Sequence, residues 1–387
     1  MTPKTILIVA GEPSGDANAA ALVKALARLL PGTEFIGAGG PAMAAAGVKL
    51  SFNLTDDATI GPVDALKKLG TIRRRQRALA DLAIARRPEL IILVDFYTFN
   101  RPWVRRVRNH AGAQADDATK WTPKIAQYTS PQVWASRPGR AEKMAGDIDL
   151  LLCFFPFEQE WYARRKTSLR VECVGHPLFD RHPAISNRVQ PDQDENPVIV
   201  LLPGSRIDEL KRHLPVMLAT AREIAAVRSA RFKLVAADER IEACIRSYLA
   251  ADMPEVEIQT GRVEEALSTA TLAITKTGTI SLECAYFGVP TLAMYKTSTL
   301  FYLVARPFVS VKYLSMPNIL AGEPLFPEFI QSQATAENVS KAALALLADP
   351  ARRGAIRAKL KTIIESLGGP GAAERAAAIL LQLLAGR

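Results

Sequence analysis

The feature that most constrains the fold of this chain is a recurring unit: a short apolar run, a turn rich in Gly, Ser or Thr, and a segment of helical period. The opening shows it in full. Thr5 to Ala10 is largely apolar, Gly11-Glu12-Pro13-Ser14-Gly15-Asp16 turns the chain, and Leu22, Val23, Leu26, Leu29 and Leu30 follow at helical spacing. Further runs suited to buried strands lie at Glu34 to Ala38, Leu90 to Asp95, Lys124 to Tyr128, Leu150 to Phe154 and Val171 to Val174. Strands that are apolar on both faces need cover on both faces. The alternation therefore predicts an α/β fold with a doubly wound, Rossmann-like parallel sheet.

A polar, Pro-containing stretch from Asn187 to Asn196 interrupts the pattern, and a second series of runs begins at Val198 to Leu202. It continues through Phe232 to Ala236, Val256 to Gln259, Leu272 to Thr275 and Pro290 to Met294. At 387 residues, with 49% hydrophobic residues, the chain is long enough for two cores. The expectation is two doubly wound domains facing a cleft, the first over 1–186 and the second over 196–367. Gly368-Gly369-Pro370-Gly371 then precedes an Ala/Leu-rich terminal helix within 372–387.

Several function classes are excluded by what the chain lacks. No stretch of about eighteen uninterrupted apolar residues occurs, and Met1-Thr2-Pro3-Lys4 runs into a strand-like segment without a signal-peptide layout, so the expected location is cytoplasmic. Cys153, Cys173, Cys244 and Cys284 stand singly in apolar runs, without metal-ligand spacing, and read as small buried hydrophobes. The first β-α unit has neither G-x-G-x-x-G nor an acid at the end of its second strand, which closes in Gly37-Ala38-Gly39-Gly40; a dinucleotide fold of that kind is excluded, and no Walker motif occurs. Two Asp-x-Asp pairs, Asp147/Asp149 and Asp192/Asp194, invite a metal-dependent sugar-transferase reading, but one precedes a buried strand and the other sits in the linker. Neither is assigned a metal.

The net charge of +10 is concentrated: residues 61 to 110 hold twelve Lys and Arg against Asp64, Asp81, Glu89 and Asp95. Lys67, Lys68, Arg73, Arg74, Arg75, Arg77, Arg86 and Arg87 fall on a predicted helix whose Leu66, Leu69, Ile72, Gln76 and Leu79 repeat at helical spacing. Such a helix buries one stripe and shows a basic face, which is either simply solvated or meets an anionic partner. With no zinc-finger, RNP-like or helix-turn-helix pattern tied to the run, nucleic acid is not the partner. An anionic lipid surface is the better match.

Three places carry chemistry. Leu201-Leu202-Pro203-Gly204-Ser205-Arg206 ends a strand in a Gly-Ser turn at a helix start, where free N–H groups beside Ser205 and Arg206 form a phosphate seat, or else a Ser-capped helix with a surface Arg. Thr275-Lys276-Thr277-Gly278-Thr279 repeats the arrangement, and Glu283 follows Thr279 by one helical turn, placed either for ribose hydroxyls or on the helix surface. Asp95 closes the apolar run Ile91 to Val94, at the strand edge where doubly wound sheets bind ligands. It reads as a general base or as a helix cap.

With these residues in place, the chain resembles the lipid-A-disaccharide synthase family almost from end to end. The resemblance rests on Gly11 to Asp16, Gly37 to Pro41, Tyr128-Thr129-Ser130-Pro131-Gln132-Val133-Trp134-Ala135, Phe155-Pro156-Phe157-Glu158 through Trp161-Tyr162, and Val174-Gly175-His176-Pro177. Leu202 to Arg206, Thr277 to Thr279 with Leu282-Glu283, and Met316-Pro317-Asn318 complete the ordered series. It implies a GT-B architecture and an inverting, metal-free and cofactor-free transfer from UDP-2,3-diacylglucosamine to lipid X. By resemblance Arg206 and Glu283 bind UDP with Gly204, Ser205, Thr277, Gly278 and Thr279, and Asn318 lines the same site. Asp95 is the candidate base, Glu12 lies near the reacting sugars, and Gly15, Asn100 and Ser130 belong to the substrate-binding set. The family works at the inner face of the cytoplasmic membrane, its terminal helix packs back on the first domain, and exchange of C-terminal segments makes a homodimer an expectation.

Two motifs depart from the family pattern. Its Asp-x-Pro-Asp-Phe-Asn reads Asp95-Phe96-Tyr97-Thr98-Phe99-Asn100 here, and its Trp-Ala-Trp reads Trp134-Ala135-Ser136. Both lie on the acceptor side. The competing readings are a UDP-sugar enzyme of the same fold with another lipid acceptor or an epimerising reaction, and a non-catalytic UDP-binding peripheral membrane protein.

Overall fold

The computed structural model describes residues 4–55, 69–113, 121–182, 195–249 and 254–386. Leu66, Lys67, Lys68, Asp64, the Asp192/Asp194 pair and most of the expected linker lie outside these residues. The chain divides into two compact units, residues 1–180 with 369–387, and residues 181–368.

In the first unit β1 (Thr5–Ala10), β2 (Glu34–Gly39), β3 (Lys49–Asn53), β4 (Leu90–Val94), β5 (Lys124–Tyr128), β6 (Leu150–Cys153) and β7 (Arg170–Cys173) form one parallel sheet in the order β3-β2-β1-β4-β5-β6-β7. The strands β4 and β6 are buried along their whole length, which is why they are written almost entirely in Leu, Ile and Val. Their cover includes the helix Tyr97–Gly112, which sets Trp103, Val104 and Val107 into the core with Leu79, Ala80 and Ala83 of the helix Leu69–Arg86. The basic helix is thus amphipathic as expected, with Arg73, Arg74, Arg77, Arg86 and Arg87 in or beside it exposed. Leu69, assigned to the buried stripe, is instead 45% exposed; the stripe begins with the partly buried Ile72 and is completed by alanines.

In the second unit β8 (Val198–Leu202), β9 (Arg231–Ala236), β10 (Val256–Thr260), β11 (Leu272–Lys276), β12 (Thr291–Tyr295) and β13 (Glu328–Ile330) form a second parallel sheet, ordered β10-β9-β8-β11-β12-β13. Both sheets therefore reverse direction of strand order between their first and fourth strands. That is the topological switch point at which ligands of doubly wound folds bind, beyond the carboxyl ends of the strands.

The terminal helix Ala372–Leu384 belongs to the first unit and packs on the helix Pro13–Leu29, sealed by an Arg28–Glu374 ion pair of 2.6 Å. Asp180 accepts the N–H groups of Gly371 and Ala372 at its start. Of the cysteines, Cys153 and Cys284 are buried as expected, whereas Cys173 and Cys244 are only half-buried. Cys173 stands opposite Cys153 in the β6–β7 register, so its partner is a neighbouring thiol rather than a packed apolar core.

Candidate functional site

At the switch point of the first sheet, Ala10 of β1 pairs with Val94 of β4, and Val94 with Tyr128 of β5. Three loops consequently leave the sheet side by side, carrying Gly11-Glu12, Asp95-Phe96 and Thr129-Ser130. Asp95 and Phe96 both take left-handed backbone, with φ of 51° and 46°, which costs a non-Gly residue about 1–3 kcal/mol. The surroundings over-determine that conformation. Asp95 N–H donates to the Tyr128 carbonyl (3.0 Å), while Gln127 Nε2 (2.9 Å) and Asn100 Nδ2 (3.2 Å) donate to the Asp95 carbonyl. Thr129 Oγ1 donates to Asp95 Oδ1 at 2.6 Å. Asp95 Oδ2 would lie 3.1 Å from a Cβ at Gly15, a tight contact, so the bare glycine leaves room for the carboxylate beside the helix start.

Burial raises the pKa of the Asp95 carboxyl above its ordinary value, the Thr129 hydrogen bond opposes the rise, and the Glu12 charge adds to it. Glu12 occupies the N-cap of the helix Pro13–Leu29 without capping it through its side chain. A buried carboxylate poised to take a proton, beside a second carboxylate, is the chemistry of a general base. Asn100 sits in the same structure but does not face outward. It is fully buried, clamping the Asp95 carbonyl through Nδ2 and accepting Trp103 Nε1 at 3.1 Å.

Asp16, from the same opening motif, is spent on structure: its carboxylate accepts the N–H groups of Gly40, Ala42 and Met43 at 2.8, 2.9 and 3.1 Å and so caps the helix Pro41–Ala45. Ser130 is buried, 3.4 Å from the Tyr162 hydroxyl. Beside it stands Glu158, which no motif reading assigned a role. Its carboxylate takes Trp134 Nε1 at 2.9 Å and the Phe155 N–H at 3.2 Å, and burial pushes its pKa up to about 7. Phe155-Pro156-Phe157-Glu158 is the signal that was available: Pro at the first helical position and Glu two residues on form a helix start. The Asp147/Asp149 pair is structural. Arg101 meets Asp147 at 2.6 Å and Arg108 meets Asp149 at 2.7 Å.

At the second switch point, Leu202 of β8 pairs with Thr275 of β11, so the turns that follow are neighbours. Gly204 (φ 120°) and Gly278 (φ 138°) both adopt backbone that disfavours any side chain. Arg206, not Ser205, is the N-cap of the helix Ile207–Val227, and no side chain caps it; Gly278 likewise caps Thr279–Tyr286 with no side-chain bond. Two uncapped helix starts thus lie side by side with their first N–H groups uncapped, the setting in which anions bind. Ser205, Gly278 and Thr279 are exposed, and Thr277 is half-buried.

Charges complete this region. Glu209 holds Lys276 Nζ at 3.1 Å and Arg206 at 3.8 Å, leaving one positive charge among three groups. Lys276 Nζ also lies 3.3 Å from where a Gly278 side chain would be, which puts the ammonium between the two turns. Neither Lys276 nor Glu209 was assigned a role from sequence; only the strand pairing brings them together. His213, one turn beyond Glu209, is buried and locked neutral, bonding the Glu209 carbonyl through Nδ1 (2.8 Å) and the Lys296 N–H through Nε2 (3.0 Å), with burial lowering its pKa to about 4. Glu283 is largely buried, 3.4 Å from Arg181, and burial raises its pKa against the pull of Arg181 and His182. Asn318 is fully buried, its amide bonded to both the N–H and the carbonyl of Phe326 and to Glu328. It holds the loop instead of presenting an amide.

The sequence model of the lipid-A-disaccharide synthetase family matches residues 6–382. The lipid-A-disaccharide synthase of Syntrophus aciditrophicus is 37% identical over 391 residues, covering 99% of this chain and 99% of that protein. That of Geobacter metallireducens is 36% identical over 390 residues, covering 98% and 97%. Among solved structures the calicheamicin glycosyltransferase CalG4 matches with a TM-score of 0.61 at 18% identity, covering 100% of this chain and 99% of that one, a likeness of fold. Since the family match runs through both sheets and both switch points, the chain belongs to the lipid-A-disaccharide synthetase family.

Proposed function

We propose that this enzyme joins UDP-2,3-diacylglucosamine to lipid X, 2,3-diacylglucosamine 1-phosphate, giving the disaccharide 1-phosphate and UDP with inversion at the donor anomeric carbon. Beyond family membership, one observation carries the reading: a base-like carboxylate stands at one switch point and paired, uncapped helix starts with Arg206 and Lys276 stand at the other. Asp95 takes the proton of the acceptor hydroxyl as its oxygen attacks the anomeric carbon. The bond to UDP breaks, and its electron pair leaves on the diphosphate, where Arg206, Lys276 and the free N–H groups meet the charge without a metal. Glu283 accepts the ribose hydroxyls. The test is formation of both products from the two purified substrates.

Both substrates are acylated, which motivates work at a membrane surface, the inner face of the cytoplasmic membrane in this reading. No helix among the described residues is long and apolar enough to cross a membrane. Two features support surface contact instead: the basic helix Leu69–Arg86, and the segment around Thr299–Ala305, where Leu300, Phe301, Leu303, Val304, Phe308 and Val309 are exposed. Sedimentation with phosphatidylglycerol-containing vesicles should exceed that with neutral vesicles and fall as salt rises. Leu300→Glu with Leu303→Glu should weaken it roughly tenfold or more, since burying one Leu is worth about 1.5–3 kcal/mol. Equal binding to neutral and anionic vesicles at low salt would refute the electrostatic part. A homodimer fits the same reading, with the terminal helix of one copy making on the other the contacts it makes here on its own Pro13–Leu29 helix.

A further inference from the structure

A cavity of about 660 Å³ opens in the first unit beside Tyr97 and Thr98, no more than about 11 Å of extended chain beyond Asp95. Its wall carries five cations: Arg101, Arg105 and Arg106 from the helix Tyr97–Gly112, and Arg140 and Lys143 from the helix Arg140–Ala145. Two carboxylates answer them. Asp147 takes Arg101 at 2.6 Å and Arg105 at 3.6 Å, and Asp81 takes Arg106 at 3.0 Å. Neither Arg140 nor Lys143 pairs with a carboxylate among the described residues, and the adjacent Glu142 is held by Arg165 at 3.0 Å. Among the described residues, the five cations around this concavity outnumber their carboxylate partners by three.

The arrangement is built for an anion. Asp147 has a side chain only 7% exposed, so it anchors Arg101 from below and fixes the guanidinium before any ligand arrives. Arginine forks match phosphate oxygens, and a concave cluster of one sign concentrates the field. The volume exceeds a bare phosphate and falls in the range of sites that hold a small ligand, about 300–1,000 Å³. Among the described residues no carboxylate lines the cavity itself, and Thr98 at its edge is neutral.

We propose that this cavity seats a phosphate monoester, the 1-phosphate of the acceptor, so that the attached sugar lies toward Asp95. The identity of the ligand rests on the reaction proposed above; the anion seat does not. Calorimetric titration of the full-length protein, with the nucleotide seats filled by saturating UDP, compares glucosamine 1-phosphate with glucosamine. Wild type should prefer the phosphate by at least about tenfold. The double variant Arg140→Ala with Lys143→Ala should lose about 10- to 100-fold in phospho-sugar affinity, with UDP affinity and melting temperature unchanged, because both side chains are at least partly exposed and unpaired. Thr98→Asp should weaken the same ligand without affecting the folded state. A wild type without preference, or a double variant that binds as wild type does, would overturn the seat. So would a double variant that keeps the phospho-sugar but loses phosphatidylglycerol vesicles, which would make these cations a membrane contact. Binding is read without turnover, so a protein that holds glucosamine 1-phosphate here yet forms no disaccharide overturns the proposed reaction and leaves the seat standing.

Discussion

Asp95→Asn should lower kcat by about 10²–10⁴-fold, the usual worth of a general base. The amide keeps the shape and an acceptor for Thr129 Oγ1, and asparagine tolerates left-handed backbone as aspartate does, so the φ of 51° at this position does not penalise the variant. What it loses is the ability to take a proton. UDP affinity should barely change, since the proposed nucleotide seats belong to the other unit. The acid limb of the wild-type pH profile should lie above the ordinary aspartate range, because only the ionised carboxylate can accept a proton and burial holds its pKa up. The variant should have no such limb. Stability works in the opposite sense: a carboxyl whose folded pKa is raised stabilises the fold at pH below its unfolded pKa and loses that contribution as pH rises through the folded one. At neutral pH the variant should therefore melt no lower than wild type. A folded variant that keeps more than about a tenth of wild-type turnover would move the base elsewhere, with Glu12 next in line.

Arg206→Ala should weaken UDP binding by roughly 10- to 150-fold, the equivalent of about 1.5–3 kcal/mol for a hydrogen bond to a charged group. The side chain is 43% exposed and stands 3.8 Å from Glu209, at the turn where the diphosphate is expected. Glu283→Ala should weaken UDP as well, because its carboxylate is largely buried and its Arg181 contact at 3.4 Å leaves acceptor capacity for ribose hydroxyls. Circular dichroism and melting curves distinguish this from misfolding. Calorimetry that finds UDP affinity unchanged in both variants would remove the nucleotide from this site.

Much of the architecture was legible because buried parallel strands leave a plain trace. The runs at β1, β4, β6 and β8 are apolar on both faces. The strands β3 and β13 left no such trace: β3 alternates between exposed and half-buried positions at the edge of its sheet, and β13 has three half-buried residues. Asp95 was legible because a carboxylate ends an apolar run, whereas the paired left-handed residues there were not, since neither is Gly. The two asparagines of the expected site share one placement. Asn100 and Asn318 sit in motifs that look like ligand contacts, but each has its side-chain amide committed inside the protein, and their effect on the site passes through the Asp95 carbonyl and the Phe326 loop. Lys276 and Glu209 were missed for the converse reason: their meeting depends on β8 and β11 lying side by side, a long-range pairing that no local spacing reports.

The measurement that bears most directly on the proposed reaction is product analysis with purified protein, UDP-2,3-diacylglucosamine and lipid X, followed by thin-layer separation and mass determination. One new lipid of the disaccharide 1-phosphate mass is expected, formed in step with UDP release and absent when either substrate is withheld. Donor consumed without lipid X, donor epimerised in place, or UDP bound with no turnover would each contradict it.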